Sequence, residues 1–316
     1  MSDQRCRILI VGSVNMDLVL QVERVPGTGE NLIGSSYSYI SGGKGANQAV
    51  AAARLGMDVT FVGRTGNDAH GQKLIHGLNR EGISTELMIQ DPDNPSGLAV
   101  IMVEPSGQNR ILVYPGSNMA IREEEVERAF KHTYDAVIMN LEISDRIIGF
   151  VCGLAKNKGI PVVLDAGPVR TFDLSLCPGL KVLSPNESEA AALSGLPCTN
   201  PDEAVKAAAR LADISNAGYV VIKLGAEGAV LWRNGKSAFF PAYTVEAVDA
   251  TAAGDAFTSG LTSKYLETGD MDRAIRYANA VGALAVTRLG AQPSLPSAAE
   301  VAAFLEHQDN HYDNTG

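Results

Sequence analysis

The chain has 316 residues, 45% of them hydrophobic, and a formal net charge of −10. This composition is typical of a globular protein with a large core, and the acidic charge excludes the basic stripe expected of a nucleic-acid binder. Residues 1–7 are too short and polar for a secretory signal, and without a run of about 18 apolar residues no membrane span is expected. The four cysteines and five histidines lack metal-ligand spacing, so we expect free thiols in a reducing cytoplasm.

Short apolar runs alternate with helix-like segments along the chain. The runs are typical of strands buried on both faces of a sheet: 8–12, 59–62, 136–139, 162–164, 182–183 and 219–222. The helix-like segments between them are 46–54, 71–80, 122–129, 144–157, 187–193 and 202–212. This alternation predicts an α/β fold with a parallel sheet and helices on both faces.

Residues 18–40 and 96–114 break this rhythm. Both read as hairpins, with turn signals at 26–29 and 105–109. We interpret them as a small β-sheet lid on a main domain of residues 1–17, 41–95 and 115–306; the alternative is that they extend the main sheet. An uncovered lid face would expose apolar surface, so we expect a homodimer through the lid. The polar residues 307–316 are predicted to be a frayed tail.

Two polar segments follow early strands. In 12–17, Asn15 and Asp17 fall on one face of an extended segment and would suit a polyol, or they belong to a capped turn. In 42–50, glycines lead into an Ala-rich helix, and Lys44 and Asn47 could bind hydroxyls; a turn chosen only for close packing is the alternative. This is not a Walker A loop, because Ser38 replaces its first glycine.

Two later segments fit a nucleotide site. Asn186 followed by Glu189 predicts either a capped helix start or a pair that organises water around Mg²⁺. The loop 223–228 follows an apolar strand, where open α/β sheets bind ligands, although an ordinary glycine hairpin would look the same.

The most informative segment is 247–257. A β-like stretch at 237–248 leads through Ala252, Ala253 and Gly254 into a helix-like stretch at 256–267. Small residues at a helix N-terminus leave free N–H groups open to an anion. Asp255 adds a carboxylate at this anion site, which predicts a general base beside a transferring phosphoryl group.

Taken in order, these motifs resemble the PfkB carbohydrate kinase family. The matching elements are G-S-x-N-x-D at 12–17, G-G-K-G-A-N-Q-A at 42–49, N-x-x-E at 186–189, A-A-G-D at 252–255 and T-R-x-G-A-Q-P-S at 287–294. The resemblance runs from the first strand to Phe304 and implies a three-layer α/β/α fold with a mostly parallel sheet and a small β lid. It also implies ATP-dependent phosphorylation of D-ribose at O5; another pentose such as deoxyribose, or another sugar or nucleoside, is the alternative.

The resemblance further implies a role for each matching residue. Asp255 would be the base, with Ala252, Ala253 and Gly254 forming the anion hole. The sugar would be held by Asn15, Met16, Asp17, Gly43, Lys44, Gly45, Ala46, Asn47 and Glu142. ATP would contact Asn186, Lys223, Leu224, Gly225, Ala226, Glu227, Gly228, Gly254 and Asn279. A K⁺ ion would bind Asp249, Thr251, Ala285, Arg288, Gly290 and Ser294, largely through backbone carbonyls, and Asn186 and Glu189 would form the second shell of Mg²⁺.

Three positions depart from the family pattern. Ala252 precedes Ala253 where the family often has Gly, and Ala250 stands where Thr is frequent. Asp165-Ala-Gly-Pro168 replaces a common N-P-A-P segment near the substrate strands. The last difference leaves the identity of the sugar open. A non-catalytic binding protein on the same fold is disfavoured, because it would be expected to lose Asp255.

Overall fold

The computed structural model describes residues 5–313, with side chains described up to residue 308. The helices are α1 (Lys44–Arg54), α2 (Ala69–Arg80), α3 (Glu123–Ala129), α4 (Asp145–Lys158), α5 (Glu187–Ser194), α6 (Pro201–Ser215), α7 (Ala253–Thr268), α8 (Met271–Ala285) and α9 (Ala298–Asp313). Among the described residues, no helix has both the length and the apolar character that a membrane span requires.

The strands form three sheets. Their bounds are β1 (Arg7–Val11), β2 (Asn15–Gln21), β3 (Ser36–Gly42), β4 (Asp58–Val62), β5 (Arg64–Gly66), β6 (Ile89–Asp91), β7 (Gly97–Val103), β8 (Asn109–Tyr114), β9 (Ala136–Asn140), β10 (Val162–Asp165), β11 (Leu180–Ser184), β12 (Tyr219–Lys223), β13 (Gly228–Arg233) and β14 (Lys236–Pro241). The eight-stranded sheet has the order β14-β13-β12-β11-β10-β9-β1-β4, and only β13 runs opposite to the other strands, so its pairings with β12 and β14 are antiparallel. The mostly parallel sheet predicted from the sequence is therefore confirmed.

Core packing on both faces of this sheet gives three layers. Ile8 and Ile10 of β1 belong to one apolar cluster, together with residues of α1, α7 and α8. Leu9 and Val11 belong to a second cluster with residues of α4 and α6. Since successive side chains of a strand point to opposite faces, a wholly apolar β1 is what a central strand between two helical layers requires.

The lid is a separate four-stranded sheet of order β3-β2-β7-β8, which we call the lid sheet. This confirms the predicted lid against the alternative that its hairpins extend the main sheet. The lid sheet starts earlier than residue 18, since Asn15 already pairs with Gly42 and Gly97. Three residues separate the end of β1 from the start of β2, so the polar residues of β2 lie where the two sheets meet.

The structure also differs from the sequence-based elements in places. The predicted β-like stretch 237–248 is wrong beyond Pro241, where β14 ends and residues 242–252 follow without a strand or helix. Asn279 of α8 donates to the carbonyl oxygens of Phe240 and Pro241, at 3.2 and 3.0 Å, and holds the chain at this exit. Helix α8 and the pair β5–β6 were not predicted. From residue 307 the predicted tail continues α9 up to Asp313, and residues 314–316 lie outside the described residues.

Candidate active site

Asp255 lies in the first turn of α7 and is almost fully buried, with 3% of its surface exposed. Ala252 precedes the helix with φ of +63°, a left-handed conformation that is uncommon for a residue with a Cβ. Ala253 donates its N–H to Ala250 O at 3.2 Å. The N–H of Ala253, predicted to bind the anion, is therefore already used. The remaining N–H groups of the first turn have no acceptor within the helix, so those of Gly254 and Asp255 stay open to an anion.

Three side chains contact the Asp255 carboxylate, and only one of them is at ordinary hydrogen-bond distance. Asn47 Nδ2 donates to Oδ2 at 3.0 Å, Gln48 Nε2 approaches Oδ1 at 3.4 Å, and Lys44 Nζ lies 3.7 Å from Oδ1. Burial raises the pKa of Asp255 to about 6, because the attraction of Lys44 offsets only part of the lost solvation and Asp165 raises the pKa further. A carboxylate of this kind is ionised at neutral pH and still able to accept a proton.

The glycine turn before α1 brings the sugar-side residues together. Gly43 has φ of +88°, and a Cβ there would lie 2.7 Å from Asn15 N, so the turn and β2 touch through their backbones. A Cβ on Gly42 would overlap the Asp17 carboxylate. The predicted sugar-side residues Asn15, Asp17, Lys44 and Asn47 therefore belong to one group around this turn.

Acidic neighbours dominate the electrostatics of this group. Burial, together with the negative charges of Glu142 and Asp255, raises the pKa of Asp17 to about 7. Burial lowers the pKa of Lys44, but Asp255 and Asp165 outweigh it and keep the pKa above its ordinary value. Glu142 accepts the hydroxyl of Ser13 and, at 3.1 Å, the N–H of Lys44. Lys44 is thus held as a cation among carboxylates.

Three predicted sugar-side residues do not present a side chain to this group. Met16 and Ala46 are fully buried in an apolar cluster, because period two turns Met16 away from Asn15 and Asp17. Gly45 packs against the backbone of Gly12 and Ser13. Only the backbones of these three residues could face a sugar.

A cavity of about 390 Å³ lies on the other side of the α7 N-terminus. Six of the predicted nucleotide residues line it: Lys223, Gly225, Ala226, Gly228, Gly254 and Asn279. Leu224 instead belongs to an apolar cluster, and Glu227 is exposed beside the loop. The cavity lies beyond the carboxyl end of β12, where open α/β sheets bind ligands.

Sequence reasoning missed much of this cavity's wall. Part of the wall comes from the stretch predicted as a strand: Ala242, Tyr243, Thr244, Val245 and Ala247. The rest of this unpredicted wall consists of Ala250, Phe257, Gly282, Ala283 and Val286. Apolar alternation is shared by a strand and by an extended segment that covers a cavity, so this signal could not separate them.

Asn186 and Glu189 form a complete capping box at the start of α5. Glu189 N donates to Asn186 Oδ1 at 2.9 Å, and Asn186 N donates to Glu189 Oε2 at 2.8 Å. The capping interpretation is therefore confirmed, and a role near Mg²⁺ stays a prediction. Among the described side chains, residues 5–308, no group of three His, Cys, Asp or Glu could hold a metal ion.

The two segments predicted to bind K⁺ meet at Asp249. Its carboxylate accepts the N–H of Gly290 at 2.9 Å and both the N–H and hydroxyl of Thr251, at 2.9 and 2.6 Å. Arg288 is turned away, since its guanidinium pairs with Glu300, and Ser294 donates its hydroxyl to Ala291 O. Carboxylate, hydroxyl and carbonyl oxygens are ligands that suit a hard cation.

Two polar residues that the sequence did not single out support the site. Asn118, in a 3₁₀ helix after the lid sheet, donates to Asn15 Oδ1 at 2.7 Å and accepts the N–H of Val14 at 2.9 Å. Gln48 joins Asp165 and Asp255. Gln48 lies inside the G-G-K-G-A-N-Q-A motif, but no local pattern indicates its contacts or those of Asn118, because their partners are remote along the chain.

The buried Asp255 carboxylate lies at a helix N-terminus. The polar sugar-side group is on one side of it, and the cavity beyond the parallel sheet is on the other. This arrangement is typical of an α/β phosphotransferase. The chain belongs to the pfkB carbohydrate kinases: the profile of the pfkB family carbohydrate kinase matches residues 6–298. A ribokinase of Haemophilus influenzae is 37% identical over 96% of this chain and 99% of its own length. A deoxyribokinase of Salmonella typhi is 32% identical over 94% and 98%.

A solved structure shares the whole architecture. The Arabidopsis thaliana ribokinase complexed with ribose and ATP superposes with a TM-score of 0.88 at 32% identity, covering 96% of this chain and 99% of that one. The family predicted from the motifs is thereby confirmed.

Proposed function

We propose that this protein is active as a ribokinase and transfers the γ-phosphoryl group of ATP to O5 of D-ribose, giving D-ribose 5-phosphate and ADP. The observation that carries the proposal is the buried Asp255 carboxylate between the sugar-side group and the 390 Å³ cavity. The ribokinase of Haemophilus influenzae and the ribose and ATP complex of the Arabidopsis enzyme support the same substrates.

Asp255 acts as the general base in this proposal. Its pKa of about 6 leaves it ionised at neutral pH, so it can accept the proton of the sugar's primary hydroxyl. The N–H groups of Gly254 and Asp255 would stabilise the negative charge that develops on the phosphoryl oxygens. Because phosphoryl transfer needs little covalent chemistry from the protein, positioning and charge stabilisation supply most of the rate.

The sugar-side group supplies both donors and acceptors for hydroxyls. Asn47 Oδ1 is buried without a hydrogen-bond partner within the described structure. A buried acceptor left unpaired destabilises the protein, so a sugar hydroxyl that donates to it would remove this cost and bind more tightly. Beside it, the Lys44 ammonium can donate hydrogen bonds. Asp17, whose pKa is raised to about 7, can donate when protonated and accept when ionised. Glu142 completes the set.

ATP would occupy the cavity next to Gly254, with Asn279 and the 223–228 loop as walls. Mg²⁺ fits as an ion carried by the phosphates, since it usually keeps several waters, and Asn186 and Glu189 would hold those waters. Bound Mg²⁺ would neutralise phosphate charge. K⁺ fits the oxygens of Asp249, Thr251 and Ser294 and the carbonyls of Ala285, Arg288 and Gly290. Asp249 and Thr251 directly precede α7, so a bound K⁺ would shape the anion hole at the start of that helix.

A second candidate function is phosphorylation of 2-deoxyribose. The Salmonella typhi deoxyribokinase is nearly as similar to this chain as the ribokinases are. In addition, the 165–168 segment packs directly on the sugar-side group, since a Cβ on Gly167 would lie 2.7 Å from Lys44 Nζ. The departure from the family pattern therefore touches the substrate side of the site.

The lid sheet supports a homodimer as the working form. Its strands β3 and β8 expose large apolar side chains: Tyr37, Tyr39, Ile111, Leu112, Val113 and Tyr114. These are the two edge strands of the lid sheet, and exposed apolar side chains in such numbers are typical of a protein contact. We place the protein in the cytoplasm, where its cysteines, all free in the structure, would stay reduced.

A coupled ADP-release assay over pentoses, hexoses and nucleosides tests the proposal, with ³¹P NMR to identify the phosphorylated oxygen. We expect the largest kcat/KM with D-ribose and a phosphate on O5. A larger value with 2-deoxyribose would favour the second candidate, and no turnover of any sugar or nucleoside would refute both.

Repeating the assay in matched NaCl and KCl buffers tests the cation site. We expect turnover to rise with K⁺ and the rise to disappear in Asp249→Ala. Equal rates in the two salts would remove K⁺ from the proposal without affecting the choice of sugar.

A further inference from the structure

Asp165, at the end of β10, is completely buried and has no role in the chemistry described above. Its Oδ1 accepts a hydrogen bond from Lys223 Nζ and its Oδ2 one from Gln48 Nε2, both at 2.9 Å. Burial alone would raise the pKa of Asp165, but Lys223 and Lys44 lower it below its usual value, so the group is a carboxylate. A buried charge is costly unless its partners are well placed, and both partners lead to the reacting groups.

Gln48 leads to the base. The same Nε2 that donates to Asp165 lies 3.4 Å from Asp255 Oδ1, so one amide nitrogen bridges the two carboxylates. Asn140 Nδ2 donates to Gln48 Oε1 at 3.3 Å, which fixes the orientation of the amide. Gln48 and Asn140 are both fully buried. Asp165 therefore orients the Asp255 carboxylate through hydrogen bonds to the Gln48 amide.

Lys223 leads to the phosphate side. It lines the 390 Å³ cavity, and a Cβ built on Gly254 would lie 3.6 Å from its Nζ. An ammonium has three donors, of which Asp165 takes one. The other two are available to an anion bound at the α7 N-terminus.

We infer that Asp165 is a positioning residue for phosphoryl transfer: one oxygen holds the Lys223 ammonium beside the α7 anion site, and the other orients the Asp255 carboxylate through Gln48. This inference rests on the proposed kinase function. Asp165 touches neither substrate; it acts only by placing two groups that do. An amide in its place keeps one acceptor oxygen and replaces the other with an NH2 donor, so either Lys223 or Gln48 would face a donor and lose its position.

The test compares Asp165→Asn with the wild type in sugar phosphorylation across pH 5 to 9. We expect kcat to fall roughly 100-fold, as for a misplaced catalytic group, with KM for the sugar unchanged. The charged groups facing Asp255 are Lys44 of α1, Asp165 of β10, Glu142 after β9 and Asp17 of β2. Removing the Asp165 charge favours ionised Asp255, so the acidic limb of kcat/KM should move down by about one pH unit.

Two further variants separate positioning from loss of stability. Gln48→Met cuts the link to Asp255 but keeps the Asp165–Lys223 ion pair, so it should lower kcat without raising KM for ATP. Asp91→Asn is the matched control, since it also removes a charge from a buried ion pair, with Arg64. It should lower the melting temperature and leave both kcat and the acidic limb as in the wild type.

The outcomes distinguish this inference from the proposed function. Wild-type protein inactive on every sugar and nucleoside would refute the proposed function and this inference with it. An active wild type whose kcat and acidic limb survive Asp165→Asn would refute this inference alone. So would an Asp165→Asn variant that loses activity only in proportion to its folded fraction, as Asp91→Asn does.

Discussion

Two buried groups of charged side chains differ in how completely their charges are met. Around the α7 N-terminus, the Asp255 carboxylate has, among the side chains that the structure describes, Asn47, Gln48 and Lys44 as partners, at 3.0, 3.4 and 3.7 Å. In the second group, Arg64 pairs with Asp91 and donates through Nε to both oxygens of Glu125 at 3.1 Å.

In both groups burial raises the pKa of the carboxylates, and the number of well-placed donors decides whether that rise is outweighed. Burial would raise the pKa of Asp91 too, but the N–H groups of Asp93 and Asn94 and the Arg64 guanidinium lower it below its ordinary value. Asp255 lacks such donors, and its pKa rises to about 6. The Asp255 group can therefore exchange a proton near neutral pH. The second group, Arg64 with Asp91 and Glu125, stays charged and serves only to stabilise the fold; we call it the brace.

Removing the base should have the largest effect. In Asp255→Ala we expect kcat to fall by about 10³-fold or more, since a positioned base contributes 10²–10⁴-fold. Nucleotide binding should persist, because the cavity walls are unchanged. Single-turnover kinetics and ADP titration by calorimetry measure the two properties. Normal turnover in this variant would falsify the assignment of the base.

Breaking the brace should act on stability instead. Arg64→Met leaves two buried carboxylates without their cation, which costs about 3–5 kcal/mol. Urea unfolding should show this loss, while kcat per folded molecule stays near the wild-type value. If kcat fell as far as in Asp255→Ala, the two groups would not differ in role.

The pH dependence of activity reports on the first group. Asp255 must be ionised to accept a proton, and its pKa is raised, so activity is present above pH 6 and lost as the pH falls through it. We expect kcat/KM to decline about tenfold per pH unit below that point. Ionisation of Asp17, with a pKa of about 7, can steepen the limb. A flat profile down to pH 4.5 would contradict the weakly partnered carboxylate.

The smallest effect is expected where a neutral side chain supports the sugar-side group. Asn118→Ala removes the donor to Asn15 Oδ1, worth about 1 kcal/mol, so KM for the sugar should rise about fivefold with little change in kcat. Asn109→Ala on the exposed end of β8 is the control and should leave KM unaltered. Steady-state kinetics with ribose decides between them.

Much of the fold could be predicted because its signals are local. Wholly apolar runs such as 8–11 predict buried strands wherever their neighbours lie, and glycines at 42, 43 and 45 predict a tight turn before a helix. Period two correctly grouped Asn15 with Asp17 and also explains why Met16 belongs to the core. The strand predicted over 242–247 is wrong because the sequence signal is local: an extended segment that lines a cavity shows the same apolar alternation as a strand.

The sequence by itself determined the α/β class, the two lid hairpins and the placement of Asp255 at a helix start, because each follows from residues close together in the chain. That the hairpins form a separate lid sheet was decided by the tertiary structure, in which β2 pairs with the distant β7. Only the tertiary structure decided the partners of that carboxylate. Gln48 meets Asp255 across 207 residues and Asp165 across 117, and Asn118 meets Asn15 across 103. Such contacts depend on which strands become neighbours in the sheet. The strand order therefore determines which donors reach Asp255, and these donors set the pKa of the buried carboxylate.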